Sequence, residues 1–224
     1  MGNCVKPIDP LSALIPRNNE SNVTAIKEST VPIIFLIGGP GAGKATQCTR
    51  IEKHYGFCTI ITRELLRHEV ATGSQKGIIL AHLMSEGKNV PPDVMVQLIG
   101  EKMLSKLSTT RGFLVSGFPR EKMQCKYFNS RIRPPDLVLY LLVRNSLLID
   151  RVLAKTVTTT ERQMSIIDDK LLRIKHYQEK IKSVLKYYKK HLVVIDGEKE
   201  EAEVFEDICY AIDNVLKKFP SSST

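Results

Sequence analysis

The stretch FLIGGPGAGKATQ, residues 35–47, decides the fold. Four residues separate Gly38 from Gly43-Lys44, an apolar run precedes them and a helical pattern follows. This is the spacing of a phosphate-binding loop, in which glycines turn backbone N–H groups inward, a helix N-terminus adds positive potential and the lysine reaches the outer phosphates. Ala45 stands where such loops usually have Ser or Thr, and Thr46 follows it. The stretch therefore predicts a nucleotide-phosphate site.

Short apolar runs rich in β-branched residues alternate with longer amphipathic segments along the rest of the chain. The runs are continuously apolar, which indicates strands buried on both faces of a parallel sheet. The predicted fold is α/β, a five-stranded parallel sheet with helices on both faces. Strands are expected at Val31–Ile37, Cys58–Thr62, Phe113–Ser116, Leu137–Val143 and Leu192–Asp196, and helices at 44–54, 63–71, 75–86, 92–107, 120–130, 146–155, 164–190 and 200–218.

Ligands of parallel sheets collect at the carboxyl ends of the strands. Here those ends carry the glycine loop, the segment Thr62–Arg67 and the segment Ser116–Arg120. A glycine loop and two cationic segments on one rim predict that the rim binds phosphate.

Composition limits the other classes of function. The net charge is +9, but it is segregated: residues 170–190 carry eight Lys or Arg against one Glu, and residues 196–207 carry seven acids and one Lys. This pattern indicates solvated helix faces, and no nucleic-acid motif accompanies it. The five cysteines are scattered, with no C-x-x-C pair, so neither a disulfide framework nor a zinc site is expected, and a reducing compartment is indicated.

The first residues, Met1-Gly2-Asn3-Cys4, present Gly2 as a myristoyl acceptor and Cys4 as a palmitoylation candidate. Lys6 stands where the myristoylation motif has Ser or Thr, so an unmodified disordered tail is the competing interpretation. We expect residues 1–30 and 220–224 to be tails and residues 31–219 to be one domain. The location is then cytoplasmic, with membrane association only if Gly2 and Cys4 are acylated.

Several motifs together carry a family resemblance across about residues 31–219. The sequence resembles the nucleoside monophosphate kinases, and among them the short-lid adenylate kinases, in GGPGAGKATQ, TRELLR, GKNVPP, GFLVSGFPR and EVFEDICYAID. The resemblance implies the P-loop kinase architecture, with a monophosphate-binding insert at about 61–90 and a lid at about 155–165. It also implies a monomer that converts ATP and AMP into two ADP with Mg²⁺ as cofactor and without zinc.

The resemblance also assigns roles to positions of this chain. The implied catalytic residues are Lys44, Arg120, Arg151, Arg162 and Arg173. The implied ATP-binding residues are Gly39, Pro40, Gly41, Ala42, Gly43, Lys44, Ala45, Thr46, Arg151 and Lys155. The implied AMP-binding residues are Thr62, Arg67, Val90, Gly117, Arg120, Gln124, Arg162 and Arg173. No carboxylate is expected to hold the metal directly, and Thr46 is the candidate for an outer-shell contact.

Four departures from the family pattern fall on the phosphate and metal chemistry. The family's Asp-Gly after the third strand is Ser116-Gly117, its Gly-Asp after Thr62 is Arg63-Glu64, and its paired lid aspartates are Met164-Ser165. Ala45 replaces a glycine. Two alternatives to an adenylate kinase therefore stay open: a weakly active or inactive adenine-nucleotide-binding relative, and a kinase for another nucleoside monophosphate. Thr62 favours adenine, because pyrimidine-directed relatives carry alanine at that position.

Overall fold

The computed structural model describes residues 23–86, 90–154 and 161–219, with the backbone alone described for 161–170. Its centre is a single sheet of five strands, all pairs parallel, in the spatial order β2-β3-β1-β4-β5. All five strands predicted from the sequence are confirmed to within two residues. They are β1 (Ile33–Gly38), β2 (Cys58–Ile61), β3 (Phe113–Ser116), β4 (Leu137–Leu142) and β5 (Leu192–Asp196).

Helices connect the strands, as parallel pairing requires. All eight expected helices are present among the described residues, with ends shifted by up to three residues. The described helices are α1 (Thr24–Glu28), α2 (Lys44–Tyr55), α3 (Thr62–Ala71), α4 (Gln75–Ser85), α5 (Pro92–Lys106), α6 (Lys122–Arg131), α7 (Asn145–Ala154), α8 (Glu161–Tyr187) and α9 (Glu201–Leu216).

Helix α1 was not expected, because it falls inside the segment 1–30 that the sequence predicted to be a disordered tail. Its Ile26 is completely buried, and Val23 packs against Gly100 of α5. Residues 23–30 therefore pack on the folded domain, and the buried Ile26 side chain contributes part of the energy that orders them. Residues 1–22 and 220–224 of the predicted tails lie outside the described part of the chain.

Two apolar cores cover the two faces of the sheet. One core packs α3 to α6 and the second half of α8 against the sheet, with an aromatic cluster of Phe35, Phe118, Phe128 and Tyr188. The other core packs α2, α7 and α9 against the opposite face. This arrangement explains why β1 and β3 are continuously apolar, because both of their faces are buried.

Because all strand pairs are parallel, the carboxyl ends of the strands lie at one end of the sheet and the amino ends at the other. The carboxyl ends of the strands lead into the glycine loop and the other segments predicted to bind phosphate. The amino ends adjoin the carboxyl ends of the helices. Among the described helices, none combines the length and the apolar character needed to cross a membrane.

Candidate active site

The predicted phosphate loop links β1 to α2. Gly41 and Gly43 have φ angles of 84° and 88°, and Gly43 directly precedes the first turn of α2. A left-handed backbone of this kind strains any residue with a Cβ. A Cβ at Gly39 would lie 2.5 Å from Leu148 Cδ1, so the back of the loop is packed against α7. The structure thus holds the loop closed on one side and presents it at the strand-end rim on the other.

Lys44 is folded back into this loop. Its Nζ donates to the carbonyl oxygens of Gly38 at 2.7 Å and Gly39 at 2.8 Å. The pKa of Lys44 is lowered to about 8, mainly by burial of the amine and next by the charge of Arg120, while Cys48 acts in the opposite direction. Because the described side chains place no carboxylate in contact with it, the ammonium is held by backbone dipoles alone. A bound phosphate would supply the missing counter-charge.

The end of β3 and the start of α3 are joined through one carbonyl oxygen. The Gly117 carbonyl accepts from Thr62 Oγ1 at 3.2 Å and from Arg120 Nε at 3.0 Å. Gly117 has a φ of 79°, and a Cβ there would lie 3.0 Å from Thr62 Oγ1, so glycine is required by both backbone and space. Thr62 is thereby fixed next to the Arg120 guanidinium.

Gln124 is buried on α6 and also belongs to this arrangement. Its Oε1 accepts from the Arg120 backbone N–H at 2.8 Å, which fixes the Arg120 loop. The family resemblance assigns Gln124 to the AMP site. In the structure its carbonyl oxygen already accepts one hydrogen bond, whereas no hydrogen bond from its amide NH₂ group to the described residues is seen, so that group is the more available one for a base.

Cations gather around Arg120. The pKa of Arg120 is lowered, first because the surrounding protein desolvates the guanidinium, and second because Arg63 and Arg173 lie nearby. All three residues are nevertheless exposed to solvent. Arg151 lies at the other side of the loop, where its Nη1 donates to the Gly197 carbonyl at 3.0 Å. Such a ring of positive charge suits a ligand with several phosphates.

Ser116 occupies the position where the family pattern has an aspartate. Its side chain is 4% exposed and hydrogen-bonds to the buried Cys48 thiol. Burial raises the pKa of that thiol, and the acid Glu64 of α3 acts in the same direction, so Cys48 stays neutral. The described residues contain no group of three or more His, Cys, Asp or Glu side chains that could hold a metal ion. The described side chains inside the site, around the glycine loop and the end of β3, are therefore either positively charged or uncharged.

The structure brings together most of the residues that the sequence singled out. Most lie around the strand-end rim: the glycine loop, Lys44, Thr62, Gly117, Arg120, Gln124, Arg151 and Arg173. Ala45 and Thr46 are exposed on the first turn of α2, and Arg67 is exposed on the second turn of α3. Val90 is buried and lies next to residues 87–89, which are not described. Gly2, Cys4 and Lys155 lie outside the described residues, as does the side chain of Arg162.

Two neighbours of the loop were not predicted. Cys48 follows Lys44 by one helical turn, and this spacing could have indicated that the two side chains lie close together. Its hydrogen-bond partner Ser116, however, is distant in sequence. The hydroxyl of Tyr177 on α8 donates to that of Tyr140 on β4, and a Cβ at Gly39 would lie 3.2 Å from the Tyr177 ring. No local sequence pattern signals these non-local contacts.

A parallel sheet with a glycine loop after its central strand, a lysine buried in the loop and arginines on the facing rim defines a P-loop phosphotransferase. Comparisons with known proteins refine this class. The family model for adenylate kinase matches residues 36–193. The chain is 35% identical to adenylate kinase isoenzyme 1 of Gallus gallus over 189 residues, which cover 82% of this chain and 95% of the relative.

Two other relatives agree with this. Adenylate kinase 1 of Drosophila melanogaster is 33% identical over 189 residues, 84% of this chain and 82% of the relative. Adenylate kinase isoenzyme 1 of Homo sapiens is 34% identical over 187 residues, 81% of this chain and 94% of the relative. The chain belongs to the adenylate kinase family. The predictions of the family, the fold and a phosphotransferase enzyme are thus confirmed.

Proposed function

We propose that the chain transfers the γ-phosphoryl group of ATP to AMP and releases two ADP. The observation that carries the proposal is the juxtaposition of Lys44, buried in its glycine loop, with the Thr62–Gly117–Arg120 cluster. The glycine loop with Lys44 would bind the phosphates of one nucleotide. The Thr62–Gly117–Arg120 cluster would supply a fixed cation for the phosphate of the other. Two nucleotides held end to end in this way bring donor and acceptor oxygens into line.

The donor nucleotide would occupy the glycine loop. Backbone N–H groups between Gly43 and Thr46, at the N-terminus of α2, would point at its phosphates, and Lys44 would exchange its two carbonyl partners for phosphate oxygens. Arg151 lies beside the loop and would contact the same phosphates, as would Lys155 of the lid. Ala45 is exposed on the first turn of α2. Its methyl group therefore takes up space on the solvent side of the loop and leaves the packing of the apolar core unchanged.

The acceptor would bind across α3 and the end of β3. Arg120 and Arg67 would bind its phosphate, together with Arg173 and Arg162 of α8. Thr62, Val90, Gly117 and Gln124 would line the pocket of its base. Since the carbonyl of Gln124 holds the Arg120 loop, we propose that this side chain recognises the base with its NH₂ group and positions Arg120 at the same time.

The reaction needs no general base, because the attacking oxygen belongs to a phosphate that is already ionised at neutral pH. The protein contributes alignment and charge neutralisation. Lys44, Arg120, Arg151, Arg162 and Arg173 would surround the transferring group as it moves. Exclusion of water by the insert at about 61–90 and the lid at about 155–165 would prevent hydrolysis in place of transfer.

Magnesium would enter as part of the ATP complex. Among the described side chains around the loop, Thr46 offers it an exposed hydroxyl group, and the Ser116 position, buried against Cys48, offers no carboxylate. This neutral donor set fits a metal carried mainly by the triphosphate and by water, with Thr46 as an outer contact, and it does not fit a protein-built cage. When bound, Mg²⁺ offsets charge on the β- and γ-phosphates. We also propose a monomer that works in the cytoplasm.

The two alternatives remain testable. A weakly active binding protein would follow from the loss of the aspartate at Ser116, and the comparisons do not favour it over an enzyme. A kinase for another monophosphate would require a base pocket different from the one around Thr62 and Gln124.

A coupled assay of ADP formation with ATP and Mg²⁺ tests the proposal, with AMP, CMP, UMP and GMP offered in turn. We expect turnover with AMP, and a loss of at least about 10³-fold in Lys44→Ala, because a buried phosphate-binding cation contributes several kcal/mol. Lys53→Ala, an exposed lysine on the same helix, is the matched control and should keep full turnover. A native chain with no turnover on any of the four acceptors would refute the enzyme.

A further inference from the structure

The end of the molecule opposite the active site carries a concentrated positive charge. Five exposed lysines form a basic patch around the beginning of β5: Lys186, Lys189, Lys190, Lys217 and Lys218. Lys190, Lys218 and His191 line one groove of about 330 Å³ beside the edge of the sheet. Strand β5 separates this patch from the nucleotide end of the sheet by about 16 Å, the length of a five-residue strand.

Helix geometry does not account for this charge. A lysine in the last turn of a helix compensates the helix dipole, which is the ordinary reason for such residues. That reason applies to Lys186 of α8. Lys189 and Lys190 follow the end of α8, and Lys217 and Lys218 follow the end of α9, so five positive charges meet at two helix ends that each carry only about half a negative charge.

Nearby carboxylates do not neutralise the patch. Asp136, which lines the same groove, is paired with Arg133 at 2.9 Å, and Asp213, which accepts from the Tyr55 hydroxyl at 2.8 Å, keeps a single negative charge against five lysines. Lys217 donates to the neutral Asn214 side chain. None of the five lysines forms an ion pair with a carboxylate of the described residues. The patch therefore presents an uncompensated field to solvent.

Exposed apolar and aromatic side chains accompany the charge. Tyr210 lines the groove with 74% of its surface exposed, and Val194 of the edge strand β5 is 52% exposed. A tyrosine ring between lysines suits the boundary between water and acyl chains, where its apolar body and polar hydroxyl are both accommodated. Nucleic-acid sites typically use arginine forks and several stacking aromatics, whereas this patch has lysines alone and a single tyrosine.

We propose that the basic patch docks the protein on the surface of an anionic lipid bilayer. In this orientation the strand-end rim faces away from the membrane, so nucleotides enter and leave the site freely. The association is electrostatic and reversible, and it requires no acyl chain. It is independent of the proposed catalytic activity, because the patch contains no residue of the nucleotide site.

Sedimentation with vesicles tests the proposal. The full chain is prepared as Gly2→Ala with Cys4→Ser, so that acylation contributes nothing, and is mixed with phosphatidylcholine vesicles with and without phosphatidylserine. We expect binding only when phosphatidylserine is present, and a steep loss as salt rises toward about 0.15 M and beyond, because screening shortens the reach of the charges. Each lysine near an anionic surface is expected to contribute about fivefold to the partition coefficient.

Charge-reversed variants locate the contact. Lys189→Glu with Lys190→Glu, and Lys217→Glu with Lys218→Glu, should each lower binding by about 25-fold or more. Lys126→Glu with Lys175→Glu changes the net charge equally at exposed sites outside the patch, and should lower binding by less than about threefold. ADP formation in solution should be unchanged in every patch variant, and its failure in the native chain would count against the proposed enzyme alone.

Three results would overturn the docking proposal. The first is no binding of the native chain to phosphatidylserine vesicles at low salt. The second is an equal loss in the patch and control variants, which would show that only net charge matters. The third is release of the chain from the vesicles by a short oligonucleotide at a lower concentration than is needed when anionic lipid is the competitor. That result would assign the patch to nucleic acid.

Discussion

Replacing Ser116 by aspartate restores the carboxylate that the family pattern has at the end of β3. Ser116 is buried and bonded to Cys48, which itself interacts with Lys44. The pKa of Lys44 is lowered from the ordinary 10.5 to about 8. This lowering means that the ammonium form is destabilised by about 3 kcal/mol, relative to the neutral amine, compared with the same lysine in water. An aspartate nearby should recover a large part of that energy, since a close opposite charge typically moves a pKa by about one to three units.

The assay is the pH dependence of kcat/KM for ATP, which reports ionisations of the free enzyme. Lys44 must be protonated to hold phosphate, so in the native chain kcat/KM should fall as the pH rises above about 8. In Ser116→Asp the falling limb should move up by at least about one pH unit. The Mg²⁺ concentration for half-maximal rate should also drop, by about tenfold, because a carboxylate is a better anchor for the metal's water shell than a hydroxyl.

The control is Ser116→Asn, which adds the same volume without a charge. It should leave the falling limb where it is in the native chain and leave the Mg²⁺ requirement unchanged. The reasoning is refuted if Ser116→Asp and Ser116→Asn give the same profile, or if the native limb already lies near pH 10.

Two further predictions concern stability. Lys44→Met removes the buried cation, so chemical denaturation should show a gain of up to about 3 kcal/mol at pH 7. The gain should shrink toward pH 10.5, because the unfolded chain binds more protons than the folded chain between about 8 and 10.5 and the native protein gains stability across that window. A gain that grows with pH would contradict the lowered pKa. Gly39→Ala places a Cβ 2.5 Å from Leu148 Cδ1, so it should lower the free energy of unfolding by about 1–3 kcal/mol. Combining Gly39→Ala with Leu148→Ala should cost less than the sum of the two single changes, and simple additivity would show that this contact is not the cause.

Much of the fold could be predicted from the sequence because its signals are local. Strands such as β1 and β4 are buried on both faces, so they appear as unbroken apolar runs. The glycine loop has a fixed spacing that is set by the backbone of a turn. Helix α1 was not predicted because it has no such local signal. Five residues with one buried apolar side chain are too few to show a helical period.

The site was predictable in its members and less so in its contacts. Lys44 and Arg120 were found through motifs, yet their mutual electrostatic effect depends on the crossover that brings β1 beside β3. The engagement of Gln124 with the Arg120 backbone depends on the angle at which α6 begins, which no residue pattern specifies. Arg63 likewise lies near Arg120 because the hydrogen bond from Thr62 Oγ1 to the Gly117 carbonyl joins the start of α3 to the end of β3.

The account depends most on two nucleotides binding end to end between the glycine loop and the Arg120 cluster. Calorimetry with diadenosine pentaphosphate, in which five phosphates join two adenosines, measures this directly. We expect one molecule to bind per chain, at least about a hundredfold more tightly than ATP alone, because the second half binds at a high effective concentration. Lys44→Met and Arg120→Met should each weaken it strongly. Binding no tighter than that of ATP, or no binding at all, would contradict the account.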